Sequence, residues 1–387
     1  MKDFDRLIIQ GVTKEFGEKV ALADFSLELE RGEFVTFLGP SGCGKSTALN
    51  CIAGLLPLTR GKIMIDEETI DDAVTSVPAE KREFGMVFQN YALFPHLTVF
   101  KNVAFGLQLR HHPKDSIRSR VQQALHLVHL DGYDDKFPSQ MSGGEQQRVA
   151  IARCIVLEPR LLMLDEPLSN LDAKLRVEMR YELKALHERL HVSSIYVTHD
   201  QQEALALSDR IVVMRSGHIQ QVGTPDQIYS EPANLFIADF MGFKNLWEAE
   251  ISALREKEDS LEVAVRVNDG EIHSLLRYGK SDPRRVALLA AYKGGWKITT
   301  AIRPEDIEID RNEAVGGFQA KVSLVEYLGE TNHVTAIAQN GTRIDLRTDH
   351  SVKIDETIRL HVPPEKLLLF GEAAELHVAP TPTSEVA

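Results

Sequence analysis

The stretch Gly39-Pro40-Ser41-Gly42-Cys43-Gly44-Lys45-Ser46-Thr47 holds the densest chemistry in this sequence. Glycines let a backbone wrap closely around a tetrahedral anion, and the N–H groups and dipole of a following helix attract it. Gly39, then four residues, then Gly44-Lys45-Ser46 is the full phosphate-loop pattern. Lys45 is expected to reach the β and γ phosphates of a nucleotide, Ser46 to ligate Mg2+ and Thr47 to hydrogen-bond phosphate. Ser41, Gly42 and Cys43 complete the loop. The lysine beside Cys43 would lower its thiol pKa, although a small residue that fits the loop is sufficient reason for a cysteine there.

LLMLDEP, residues 161–167, reads as a buried strand that ends in two acids. Asp165 stands where Mg2+ is held through water, and Glu166 where an attacking water can be polarised. Four apolar residues directly before the acids argue against a merely solvated strand end.

MSGGEQQRVA, residues 141–150, is a second glycine-bearing segment. Ser142-x-x-Glu145 has the spacing of a capping box, in which the serine caps the N3 amide and the glutamate reaches back. The helix that follows is apolar nearly all round after Arg148, which predicts that it is buried with its N-terminus projecting. Such an N-terminus is another anion site. Within one chain it cannot readily share a phosphate with Lys45. A purely structural capped helix accounts for Ser142 and Glu145 but gives no reason for Gly143-Gly144.

The elements that position these segments follow from periodicity. In residues 20–30, Phe25, Leu27 and Leu29 alternate with Ser26, Glu28 and Glu30, as in a half-buried strand. The runs FVTFL (34–38), LLML (161–164), SIYVT (194–198) and IVVM (211–214) predict buried parallel strands. Met179, Leu183, Leu186 and Leu190 keep helical spacing between the second and third of these. Strands alternating with helices indicate an α/β core. From about 95 to 160 the pattern is helical, which predicts an inserted helical subdomain. YSEPANLFIADFMG reads as a linking helix. Beyond it, short alternating runs such as LEVAVRV, WKITTAIR, FQAKVSLVEYL, TRIDLR and TIRLHV predict a small β-barrel. The expected division is 1–235, 243–378 and a disordered tail, 379–387.

The chain has 387 residues and a net charge of −13. That acidity argues against a nucleic-acid partner and against adsorption to anionic lipid. Three cysteines without paired spacing suit a reducing compartment. No apolar run reaches the ~18–20 residues of a membrane span, so membrane association is expected to run through a partner. His126 and His129 lie on a stretch whose buried stripe is Ile117, Val121, Leu125 and Val128; they are expected to face solvent rather than a metal.

GPSGCGKST, the glutamine of FQNYALFPHLTV, MSGGEQQRVA, LDEPLSNLD and VTHD, in this order over residues 39–199, resemble the ATP-binding subunit of an ABC transporter. The resemblance implies an α/β P-loop NTPase core with an antiparallel β subdomain and an inserted helical subdomain. It implies ATP and Mg2+ as ligands. Gln89 is then the residue that contacts Mg2+ and the water and marks the segment sensing a membrane subunit. His199 is the switch histidine at the γ-phosphate. Phe16 stands where the family stacks an aromatic ring on adenine. Two subunits of this family pack head to tail, so Ser142, Gly143, Gly144 and Asp172 would act on the partner's nucleotide, which implies a dimer. The commoner family residue at Glu145 is Gln, and its contact with nucleotide is left out of the expected site.

The C-terminal segment, with IRPEDIEI at 302–309, resembles the OB-like, TOBE-like accessory domain of importers. This implies two permease subunits, an indirectly coupled solute-binding protein, and a peripheral place on the cytoplasmic face of the cell membrane. NYALFPHL, residues 90–97, is either the docking surface for a permease or core packing. YALFPHLTVFKNVAFGL and FMGFKNLWEAEI resemble most the polyamine, ferric-iron and opine or phosphonate branch, with sugar importers as the alternative. A DNA-repair or translation ATPase would bring coiled coils or two phosphate loops, and an exporter has little use for this C-terminal domain.

Overall fold

The computed structural model describes residues 4–257, 260–267, 270–276, 283–310 and 318–371. The chain forms two compact units, Met1–Ser230 and Glu231–Ala387.

The first unit begins with strands β1 (Arg6–Phe16), β2 (Lys19–Glu30) and β3 (Phe34–Leu38), followed by helix α1 (Lys45–Ala53). Strands β4 (Arg60–Ile65), β5 (Glu68–Asp71) and β6 (Phe84–Val87) lead to helices α2 (Val99–Leu109), α3 (Lys114–Leu127) and α4 (Gly143–Ile155). Then come β7 (Leu161–Asp165), α5 (Ala173–Leu190), β8 (Ser193–Thr198), α6 (Gln201–Leu207), β9 (Arg210–Arg215), β10 (His218–Gly223) and α7 (Pro225–Ser230). A four-stranded antiparallel sheet has the order β2-β1-β4-β5. A six-stranded sheet runs β10-β9-β3-β8-β7-β6, parallel except for its β9–β10 pair.

The continuous apolar runs expected for parallel strands arise because both faces of this sheet are covered. Successive side chains point to opposite faces. Phe34, Leu162, Leu164 and Tyr196 therefore pack into one core with α2 to α5. Val35, Phe37, Leu161, Met163, Ile195 and Val197 pack into another with β1, β2 and α1. The stripe Ile117, Val121 and Leu125 buries α3, while His126 and His129 are exposed. Within the segment considered for docking, Tyr91 is buried in the first of these cores, whereas Phe94 is half-buried and His96 exposed.

A buried ion pair ties the antiparallel layer to α1. Arg82 Nη2 lies 2.6 Å from Asp71 Oδ2, with both side chains almost fully buried. Arg82 Nη1 donates to the Cys51 and Ile52 carbonyls at 3.2 and 2.8 Å, placing a cation at the negative end of α1.

The second unit holds two five-stranded antiparallel sheets. One has the order 270–276, 261–267, 245–256, 297–302, 368–371, and the other 308–309, 357–361, 318–327, 332–338, 343–348. They share one apolar core, in which Val263 and Val265 of the first meet Val322, Val334 and Leu346 of the second. Two features differ from the sequence expectation. The helix Pro283–Gly294 was not foreseen; Leu288 and Ala291 bury it in this core. The expected linking helix is two short ones, because Pro232 disfavours helical backbone before it and Asn234 caps a new helix, Leu235–Phe240.

Candidate active site

Strand register gathers the sequence-predicted residues. Leu38 pairs with Thr198, Asp165 with Val197 and Val87 with Leu164. The carboxyl ends of β3, β6, β7 and β8 therefore form one edge, which delivers the phosphate loop, Gln89, Asp165-Glu166 and His199 together. Ligands of parallel α/β sheets bind outside such an edge.

The glycines of the loop have separate steric causes. A Cβ on Gly39 would lie 2.4 Å from the Met214 carbonyl oxygen, and one on Gly44, at φ 107°, would lie 2.6 Å from that of Ala21. Gly42 also has a left-handed φ of 78°, and Ser41 beside it is exposed. Lys45 is buried, and its Nζ donates to the carbonyls of Gly39 and Pro40 at 2.7 and 3.0 Å. The loop thus folds around its own ammonium group. Cys43 is buried, and burial pushes its thiol pKa up, outweighing the pull of Lys45. The expected lowering is therefore reversed, and the small-residue reading of this cysteine stands. Thr47 is half-buried in the first turn of α1.

Ser46 Oγ donates to Asp165 Oδ1 at 2.8 Å. Burial raises the Asp165 pKa, with the Ser46 bond acting against it. Glu166 takes a left-handed φ of 43°, and its N–H donates to the Val197 carbonyl at 3.0 Å. Such backbone in a non-glycine residue costs on the order of 1–3 kcal/mol and persists where surrounding structure imposes it. The turn aims one carboxylate oxygen at each neighbour: Oε1 lies 3.3 Å from His199 Nδ1, and Oε2 accepts from Gln89 Nε2 at 3.4 Å. Gln89 also donates to Ser169 Oγ at 3.3 Å and accepts from Asn170 Nδ2 at 2.8 Å through its carbonyl.

The remaining predicted residues stand apart from this cluster. Ser142 caps α4, accepting from Glu145 N at 3.3 Å, while Glu145 Oε2 accepts from Ser142 N at 2.7 Å. Tyr133 donates to the other Glu145 oxygen at 2.8 Å. Glu145 is thus turned back onto its cap, and the Ser142 N–H, then the Tyr133 hydroxyl, hold its carboxyl below the usual range. Asp172 caps α5 by accepting from Leu175 N at 2.9 Å. Among the described residues, no hydrogen bond or ion pair joins Ser142, Gly143, Gly144 or Asp172 to Lys45, Asp165 or Glu166. Phe16, at the tip of the β1–β2 hairpin, is 49% exposed, with Lys14 Nζ 4.9 Å from its ring centre. It presents an open aromatic face of the kind a flat ring stacks on.

Sequence reasoning missed the groups that hold this edge in shape. Ser169 and Asn170 orient Gln89, and Arg176, Asp200 and Glu203 surround the base of His199. The adjacency of Asp200 to His199 and the D-x-x-E spacing at 200–203 were the available signal.

The ABC transporter family pattern matches residues 22–169, and the TOBE domain pattern matches residues 300–370. The spermidine/putrescine import ATP-binding protein PotA of Pasteurella multocida strain Pm70 is 45% identical over 327 residues, covering 84% of this chain and 83% of that protein. The chain belongs to the ABC transporter ATPase family. This ABC ATPase is also similar to the Fe(3+) ions import ATP-binding protein FbpC of Fusobacterium nucleatum, at 39% identity over 370 residues, 94% of this chain and 93% of the relative. Among solved structures it resembles cbiO1 of Clostridium perfringens, part of the ABC transporter complex cbiONQ. That likeness has TM-score 0.54 and 30% identity over 59% of this chain and 92% of the other. The dimeric post-hydrolysis state of the ATP-binding cassette MJ0796, bound to ADP and Pi, matches with TM-score 0.50 and 32% identity over 57% of this chain and 98% of that one. The ABC ATPase is accordingly an ATP-binding enzyme that hydrolyses ATP.

Proposed function

We propose that this ABC ATPase dimerises around two ATP molecules and drives solute uptake through two permease subunits at the cytoplasmic face of the cell membrane. The observation that carries the reading is the division of the site. Ser46 bonds Asp165, and Glu166 meets Gln89 and His199, whereas the exposed Ser142 caps a helix N-terminus bonded to none of them. A second chain brings Ser142, Gly143, Gly144 and Asp172 to the nucleotide. The MJ0796 cassette, similar in fold and sequence, is a dimer with ADP and Pi bound.

In this reading Lys45 leaves its loop carbonyls for the β and γ phosphates, and Phe16 stacks on the base. Glu166 accepts the proton of the attacking water, oriented by Gln89 on one side and His199 on the other. Ser46, Asp165 and Gln89 offer oxygen donors of the type Mg2+ prefers, and the 2.8 Å approach of Ser46 to Asp165 sets two of them side by side. Bound there, Mg2+ would supply neutralisation of phosphate charge. The second unit is the accessory domain of an importer. The solute falls in the class of polyamines and ferric iron named for the two relatives, and the phrases at 91–107 and 240–251 extend that class to opines and phosphonates.

Glu166→Gln tests the shared site. It should keep ATP affinity, lower hydrolysis by about 10²–10⁴-fold as expected for loss of a general base, and elute as a dimer with saturating Mg-ATP. A variant that stays monomeric under those conditions sinks the shared-site reading. Uptake of labelled putrescine and of ferric iron by cells lacking this chain separates the solutes.

A further inference from the structure

Two buried or half-buried acids beside His199 have no part in the reaction described above. Glu203 is 3% exposed, and its Oε2 accepts from the Tyr196 and Thr198 hydroxyls at 2.8 and 2.7 Å. Asp200 Oδ1 caps α6 through Gln202 N and Glu203 N. His199 lies between Thr198, whose hydroxyl donates to Glu203, and Asp200, whose N–H donates to Thr198 Oγ1 at 2.9 Å, so its backbone is flanked by anchored residues. Both acids face one cation on another element. Arg176 of α5 places Nη1 3.6 Å from Asp200 Oδ2 and Nε 3.8 Å from Glu203 Oε1. Its Nη2 donates to the Leu171 carbonyl at 3.1 Å, one residue before Asp172. Glu166, His199, Arg176 and Glu203 all line one cavity of about 30 Å³.

We propose that Arg176 is a positioning residue that transmits the placement of the Leu171–Asp172 turn to His199. The inference rests on the reading that Asp172 meets a second subunit. A guanidinium is planar and carries donors in a fixed fork, so a shift of the Leu171 carbonyl reorients the nitrogens that face Asp200 and Glu203. The ion-pair separations of 3.6 and 3.8 Å exceed those of a close charge-assisted hydrogen bond. The contact thus has room to shorten, and in this proposal it does so when a partner presses on the turn, drawing the switch segment toward the phosphate. Each subunit thereby registers its neighbour before its own histidine is set.

The test is steady-state hydrolysis by the full-length chain across ATP concentrations, with Arg176→Met, Arg176→Lys and Glu203→Gln. Arg176→Met should lower kcat about tenfold or more with KM within about threefold, the pattern of a group acting at the chemical step. The natural chain should hydrolyse ATP with a Hill coefficient above one, and Arg176→Met should bring that coefficient toward one, because the coupling between sites is removed. Arg176→Lys should recover part of the rate. Glu203→Gln should behave like Arg176→Met, and their combination should cost no more than either alone, as for members of one network. A KM that rises in step with the fall in kcat, unchanged cooperativity, or additive effects would overturn the proposal. If Arg176→Met does not fold, Glu203→Gln carries the same expectations. Loss of cooperativity is read beside the Glu166→Gln dimer. A trapped dimer with fully cooperative Arg176→Met overturns this inference alone, whereas a monomeric Glu166→Gln overturns both.

Discussion

A Cβ on Gly144 would lie 2.9 Å from Leu175 Cδ2, closer than side-chain carbons approach. One on Gly143 would lie 3.2 Å from Leu171 Cδ2. The paired glycines therefore have a packing reason inside this chain: they let the N-terminus of α4 seat against the turn and first residues of α5. The capped helix alone gave no account of them, and tertiary contact does. This also binds Ser142 and Asp172 into one surface, since each caps one of the two helices that meet there.

Gly144→Ala separates the two reasons. Leu175 is only half-buried and can turn aside, and Ala gains up to about 1 kcal/mol over Gly within a helix. The thermal midpoint should then move little, while hydrolysis falls at least about tenfold if the methyl obstructs a partner's nucleotide. Adding Leu175→Ala should not restore hydrolysis. Full restoration would show that the glycine serves packing alone.

Glu145→Gln probes acid stability. The folded carboxyl is held below its ordinary value by the Ser142 N–H and then the Tyr133 hydroxyl. A depressed carboxylate contributes stability above its unfolded pKa of about 4.3, and that contribution is lost as pH falls through the lowered folded value. The melting-temperature advantage of the natural chain over Glu145→Gln should be present at neutral pH and shrink below that range. Hydrolysis should stay within about threefold, because the cap and not the nucleotide is what this residue touches. An advantage that grows on acidification contradicts the assignment.

Arg82→Met should be among the most damaging substitutions outside the site. It strands Asp71, which is 1% exposed, with only Ser76 Oγ at 2.7 Å as a side-chain partner. Breaking one partner of a buried pair costs about 3–5 kcal/mol. Urea unfolding of the first unit should show that loss, and Asp71→Leu with Arg82→Met should recover part of it.

Truncation after Ser230 should leave ATP affinity within about threefold, because each unit buries its own apolar core. Equilibrium binding of a fluorescent ATP analogue measures it. Complete loss of binding would place part of the nucleotide site in the second unit.

Much of this protein was legible in its sequence, and the reason is local. A phosphate loop, a capping box and a buried strand each involve neighbours in the chain, so glycine spacing, Ser142-x-x-Glu145 and continuous apolar runs reveal them. The expected linking helix is divided for an equally local reason, the Pro232 that interrupts the stretch between Ser230 and Leu235. The helix Pro283–Gly294 went unseen because its short apolar repeat lies among strand-like runs and is stabilised by Leu288 and Ala291 in a core assembled from distant strands.

The sequence, with its family resemblance, singled out the residues proposed to carry chemistry: Lys45, Ser46, Asp165, Glu166, Gln89 and His199. Only tertiary structure decided how they are held. Parallel register sets the ends of β3, β6, β7 and β8 side by side, a left-handed turn at Glu166 directs its two oxygens at His199 and Gln89, and burial reverses the expected shift at Cys43. Arg176 shows the limit most plainly. Its importance lies in joining Leu171 to Asp200 and Glu203 across elements far apart in the chain, and such a contact leaves no spacing to read.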